Sequence, residues 1–131
     1  MVIVHGRSLR QIVRLLKRLY NTNDYFFIHV DPRSQYLYES LKVLDNGQNI
    51  IVTEDRHKII WGGVSQMQVY LSSIKNMLEL QWDMDFIVTV SGSDYVLKKP
   101  EEFKKYLSNH IERNFVSGEP ENALATELYG K

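Results

Sequence analysis

At 131 residues, with no Pro/Gly/Ser-rich linker and no repeat, the chain has the length for one compact domain, and its 16 basic and 16 acidic residues cancel without a long block of either sign. That balance argues against nucleic acid and anionic membrane as partners. The lack of cysteine excludes disulfides and a thiolate nucleophile, and the 4 histidines are too scattered for a structural zinc site.

In chain order, residues 2–5 read as a short buried strand, entered at once with no leader, so the chain taken literally is cytosolic. Leu9, Ile12, Val13, Leu16, Leu19 and Tyr20 recur at helical spacing, which predicts a helix with Arg10, Arg14, Lys17 and Arg18 on a solvated face. The turn cluster at 21–24 precedes a β-forming run at 25–30, nearly continuous in apolar character as for a strand covered on both faces. Pro32 stops that strand at Asp31, Ser34 can cap, and Leu37, Leu41 and Leu44 mark a second helix ending at 45–47. Residues 49–53 form the third strand. The passage 55–60 reads as irregular, and Met67, Tyr70, Leu71, Ile74, Met77 and Leu78 predict a long helix over 64–80. Residues 86–90 give a fourth strand, and Pro100 opens a helix to about 109–110, with Glu101 and Glu102 in its positively polarised first turn. A fifth strand is expected at 113–116, with a weak helical pattern at 123–128.

Strands alternating with helices imply βαβ units, a mostly parallel three-layer sheet, and ligands beyond the carboxyl ends of the strands. Those ends carry His5-Gly6, His29-Val30-Asp31, the approach to Trp61, and Ser91-Gly92-Ser93-Asp94. His5-Gly6 is either a tight βα turn or a place where main chain meets a ligand; no Gly-x-Gly-x-x-Gly or lysine-bearing phosphate loop decides between them. Asp31 either accepts from a ribose hydroxyl or base N–H, or pairs with Arg33 or caps the next helix. Ile59, Ile60 and Trp61 before Gly62-Gly63 can wall a sugar or base, although indoles are commonly core. Asp83 and Asp85 have the Asp-x-Asp spacing of a metal–diphosphate site but precede the fourth strand, at the wrong end, so no metal is assigned to them. Asp94 is better placed for a sugar or cation, and equally able to bond its own loop. His29, His57 and His110 read as packing or surface residues, and Tyr25, Phe26 and Phe103 as core.

Taken together in order, His5-Gly6-Arg7, the run 25–34 with Ile28-His29-Val30-Asp31, Ile60-Trp61-Gly62-Gly63, and Ser91-Gly92-Ser93-Asp94-Tyr95 resemble the peptide O-xylosyltransferase family and its relatives, the core-2 branching N-acetylglucosaminyltransferases. The resemblance runs over about residues 2–116 and departs at Val96, where the family usually has proline. It implies the Rossmann-like donor half of a GT-A fold in a glycosyltransferase (a pentosyltransferase), with UDP-xylose as donor and serine of a proteoglycan core protein as acceptor, in the Golgi. Main chain at Ile3 and Val4 and the Asp31 side chain would hold uridine, with Ile59, Ile60 and Trp61 bordering the nucleotide-sugar. No metal cofactor is required, Mg²⁺ or Mn²⁺ at most stimulating. The acceptor-side motif, the catalytic acid, the Arg-Lys pair that neutralises the diphosphate and the membrane anchor are expected outside these 131 residues. The general base is therefore not assigned, Asp94 being the one candidate present.

Two other readings remain. One is a non-catalytic α/β module that pairs with a full-length transferase; the other is a β-1,6-N-acetylglucosaminyltransferase relative. A flavodoxin-like or receiver domain is disfavoured, because the first strand ends without an acidic pair and no flavin-phosphate loop follows.

Overall fold

A computed structural model describes residues 1–115. Its elements alternate as β1 (Val2–Val4), α1 (Leu9–Leu19), β2 (Phe26–Val30), α2 (Gln35–Lys42), β3 (Ile50–Val52), α3 (Val64–Glu79), β4 (Val90–Ser91) and α4 (Pro100–Ser108). The strands form one sheet in the order β3-β2-β1-β4, and every pairing is parallel. From β1 to β3 the chain winds one way; after α3 it returns to the far side of β1. That reversal leaves a crevice between the carboxyl ends of β1 and β4, where open parallel sheets bind ligands.

Alternation along the strands divides the core into two layers of packing. Val2, Val4, Phe26, Ile28, Val30 and Val52 meet Ile12, Leu15 and Leu16 of α1 and Leu37 and Leu41 of α2. On the opposite face Ile3 and Phe27 meet Val69 and Met77 of α3 together with Ile59. The central strand β2 is buried at all five positions, which is why its sequence shows no polar alternation. Ser8 caps α1, its hydroxyl accepting the Gln11 N–H at 3.3 Å, and Lys17 and Arg18 sit in the last turn, where the helix dipole favours cations.

Several expectations need correction. Leu15, not Tyr20, completes the buried stripe of α1, and Tyr20 is exposed. Ser34 stands at the start of α2 without a side-chain capping bond, because the turn is closed by Asp31, and α2 ends at Lys42 with Leu44 outside it. Strand β3 is two residues shorter than 49–53. Strand β4 is reduced to Val90–Ser91: the register sets Val90 opposite Val2, so residues 86–88 lie past the start of β1, and only the Met1 amino group reaches back, to the Val88 carbonyl at 2.8 Å. The described part of the expected fifth strand, 113–115, has no strand structure, and residues 116–131 with the helical pattern at 123–128 lie outside the described residues. Phe26 is core, whereas Tyr25 stacks on Trp82 at 4.7 Å with one face open and Phe103 is exposed on α4, a helix with no buried residue. Among the described residues no helix is long and apolar enough to cross a membrane.

Gly92 explains how α1 lies so close to the edge strand. A Cβ at this position would stand 2.7 Å from the Ile12 Cδ1 atom and 3.6 Å from the Ile3 carbonyl oxygen. Only a residue without a side chain lets the helix settle against the β1–β4 boundary and frame the crevice.

Candidate functional site

The candidate residues meet at the carboxyl ends of β1 and β2. Asp31 ends β2 with no solvent exposure, so its carboxylate has to find partners inside the protein. Oδ1 accepts the Arg33 main-chain N–H and the Arg33 Nε–H, both at 2.9 Å; Oδ2 accepts Arg33 Nη2 at 2.7 Å and the Ile59 N–H at 2.8 Å. The turn also has Ser34 N–H donating to the Asp31 carbonyl at 2.9 Å, as the Asp-Pro-Arg-Ser order favours. Arg33, first among the causes, and the two main-chain donors hold the Asp31 carboxyl well below the usual carboxylate range. Both alternatives open in the sequence for a bland role, pairing with Arg33 and closing the next turn, are therefore present in the structure.

The same pair grips a distant segment. Arg33 Nη2 donates to the Ile59 carbonyl at 2.6 Å while Asp31 takes the Ile59 N–H, so both polar atoms of that peptide unit are held by one ion pair. The Ile59 side chain is buried against Ile3, Phe27, Val69 and Met77. From this anchor the chain turns at 60–63, Gly63 N–H donating to the Ile60 carbonyl at 3.0 Å. Gly62 occupies the third position of the turn at φ 70°, a left-handed value reserved for glycine in a type II turn. Nothing lies within 4 Å of where its Cβ would be, so backbone conformation rather than a close neighbour accounts for it.

Trp61 stands at the tip of that turn and is 89% exposed. The common core reading of an indole fails here: an anchored, rigid turn presents the ring to solvent. Ile60 is also exposed beside it, while Ile59 points inward, so the three residues split into one anchor and two outward apolar side chains.

On β1, Val2–Val4 are buried in mid-sheet and His5 emerges at the strand end before Gly6, which turns in the left-handed region. The His5 Nδ1 atom lies 3.4 Å from Asp31 Oδ2 and 3.4 Å from Arg33 Nη2, joining the ends of β1 and β2. The Val4 carbonyl is occupied by the Asp31 N–H at 3.0 Å, and the Ile3 carbonyl by Gly92 N–H at 2.8 Å.

Across the crevice, Asp94 uses Oδ2 to accept the Ser91 N–H at 2.7 Å. Its loop-stabilising role is thus present, while its residue remains exposed. Ser8, Arg10, Gln11, Arg14, Ser93 and Asp94, with Tyr95, line an open cleft of about 570 Å³. Arg14 lies 4.8 Å above the Tyr95 ring, so Arg10 and Arg14 form a cleft wall and not simply the solvated face expected of them. Asp83 and Asp85 lie at the opposite, amino end of the strands, lining a separate cavity with Met1, Phe26 and Ile87. Among the described residues no three His, Cys, Asp or Glu side chains gather as a metal site.

His29 was expected to pack, and it is buried; it also accepts a main-chain N–H, from His57, at 2.9 Å. Sequence pattern gives no sign of that bond, since the partners are 28 residues apart and one is a peptide group.

A family model described as Core-2/I-Branching enzyme matches residues 1–125. The chain is 42% identical over 118 residues to xylosyltransferase 2 of Mus musculus and of Homo sapiens. It is likewise 42% identical over 117 residues to a xylosyltransferase of Ciona intestinalis. In each case the aligned part is 88% of this chain and 14% of the relative, so the chain spans about a seventh of the length of these curated relatives.

Proposed function

Because the chain belongs to the Core-2/I-Branching enzyme family, we propose that it is the donor-binding part of a UDP-xylose:protein serine O-xylosyltransferase, the activity that initiates glycosaminoglycan chains on proteoglycan core proteins in the Golgi. The observation that carries this reading is the anchored turn at 60–63, which holds Trp61 out beside the carboxyl ends of a parallel sheet. A flat, exposed, rigidly mounted indole at a strand-end crevice suits a base or sugar face.

In this reading main chain at Ile3 and Val4 and the Asp31 carboxylate hold the uridine, and Ile59, Ile60 and Trp61 border the nucleotide-sugar. Asp31 has four internal hydrogen bonds, so the uridine takes the place of one of them. The Arg33 side chain, 47% exposed, is the partner free to swing out, and doing so brings its charge toward the diphosphate. Asp94 is the one acid at the crevice for the acceptor side, with a carboxylate oxygen left over from its loop bond. An inverting transfer needs a base for the serine hydroxyl and a counter-charge for departing UDP. Neither is assigned to this chain with the geometry a reaction needs, so binding of UDP is the activity proposed for it alone, without a metal requirement. Calorimetric titration of the chain with UDP, with and without Mg²⁺, tests this: metal-independent binding supports the reading, and no binding by a folded chain removes it.

A second reading, a non-catalytic module that pairs with a full-length transferase, is favoured by α3. Its outer face exposes Val64, Met67, Leu71 and Leu78, opposite the face that packs on the sheet through Val69 and Met77.

A further inference from the structure

His29 lies on the same face of β2 as Phe27 and Asp31 and has no solvent exposure. Its Nε2 accepts the His57 N–H at 2.9 Å, so the ring proton sits on Nδ1. Nδ1 is buried and has no hydrogen-bond partner. A buried donor left unpaired is costly, and an aliphatic side chain would fill the same space without that cost. Packing therefore does not account for an imidazole here; the bond accepted at Nε2 does.

That bond is one of two matched rungs. Two residues along β2, Asp31 Oδ2 accepts from Ile59, two residues along the crossing segment from His57. Residues 57–59 are thus fastened across β2 by side-chain acceptors, with the buried Ile59 side chain as the apolar third point. Trp61 follows immediately. We infer that His29 is a positioning residue of the nucleotide site, setting the place of the Ile59–Trp61 wall through the His57 peptide; the inference rests on the donor-binding reading above.

The surroundings keep the ring in the state this needs. Burial first, then the neighbouring His57, lower the His29 pKa to about 4, with Arg56 acting the same way and Asp31 and Asp55 opposing. The His57 ring lies parallel to it at 6.5 Å and is itself drawn to Asp55 at 3.0 Å. At neutral pH Nε2 is accordingly an acceptor.

The test compares His29→Leu and His29→Gln in the 131-residue chain, by amide hydrogen exchange and UDP titration. Leucine removes the acceptor; glutamine supplies a carbonyl that can take the same N–H. The expected result for His29→Leu is about 10-fold faster exchange at the His57 amide, unchanged exchange within β2, and UDP affinity reduced about 10-fold, with His29→Gln restoring both. A folded His29→Leu chain that binds UDP as tightly as the wild type overturns the inference and leaves the donor-binding reading intact. Should His29→Leu fail to fold, His29→Gln decides: wild-type affinity with a slow His57 amide supports positioning, and wild-type affinity with a fast one overturns it. A wild-type chain that binds no UDP overturns the donor-binding reading, and the inference with it, before any variant is made.

Discussion

The Oδ2 atom of Asp31 accepts the main-chain N–H of Ile59 at 2.8 Å, joining the end of β2 to a segment 28 residues away. Replacing Asp31 with alanine leaves that N–H buried without an acceptor and frees Arg33, which can reach water. The expected cost is roughly 3 kcal/mol of stability, read from urea denaturation. Alanine at Arg33 is milder, since the Ile59 N–H keeps its carboxylate. An Asp31→Ala chain as stable as the wild type would show that the clamp does not hold the segment.

Trp61 allows binding to be separated from folding. Its ring is 89% exposed, so Trp61→Ala should shift stability by no more than about 0.5 kcal/mol. A base or sugar stacked on the indole is worth roughly 1–3 kcal/mol, so UDP affinity should fall about 10-fold or more. Equal affinity in the two chains, measured by calorimetry, would place the nucleotide elsewhere.

Two groups set the acid limb of stability. The His29 pKa is lowered in the folded state to about 4, from 6.5. Between those values the unfolded chain binds the extra proton, so stability falls as pH drops from about 6.5 toward about 4. Asp31 is also depressed, so its contribution is present above the ordinary aspartate range and lost as pH falls below it. Thermal unfolding in steps from pH 7 to 3 should show both, with His29→Gln removing only the upper part. A flat profile between pH 7 and 4.5 would contradict the burial of a neutral His29.

The layers of the fold were legible because periodicity reports burial. Phe26, Phe27, Ile28 and Val30 mark a strand covered on both sides, and Ile12 and Leu16 mark the inner face of α1. The strand-end rule likewise singled out Asp31, Trp61 and Asp94. What the pattern could not carry was pairing. Residues 86–90 have β composition, but pairing also needs a neighbour in register, and β1 supplies one only for Val90 and Ser91. The grip of Arg33 on Ile59 and of His29 on His57 uses peptide groups, which every residue has, so composition leaves no trace of it.

Gly92 offers a test of how the crevice is framed. Its φ lies outside the left-handed region, so alanine is conformationally acceptable and the effect of Gly92→Ala reports contact alone. With the Ile12 Cδ1 atom 2.7 Å from the new Cβ, the expected loss is roughly 1–3 kcal/mol. Ile12→Val deletes that methyl group and costs something on its own; in the double variant the two losses should fall short of their sum. Strict additivity in denaturation would mean that α1 does not press on Gly92.

The outer face of α3 separates the two functional readings. Val64, Met67, Leu71 and Leu78 recur along one side of the helix, while Val69, Ser73 and Met77 bury the other. A helix apolar on opposite faces belongs between two layers, and here one layer is present. The free chain should therefore self-associate as its concentration rises, and Leu71→Glu, at a site 61% exposed, should restore the 15.4 kDa species without loss of stability. Sedimentation measurements over a range of concentrations decide it. Association abolished by Leu71→Glu with UDP binding retained assigns the ridge to protein contact and the crevice to the donor. A chain that stays at 15.4 kDa throughout leaves the partner-module reading without the surface on which it depends.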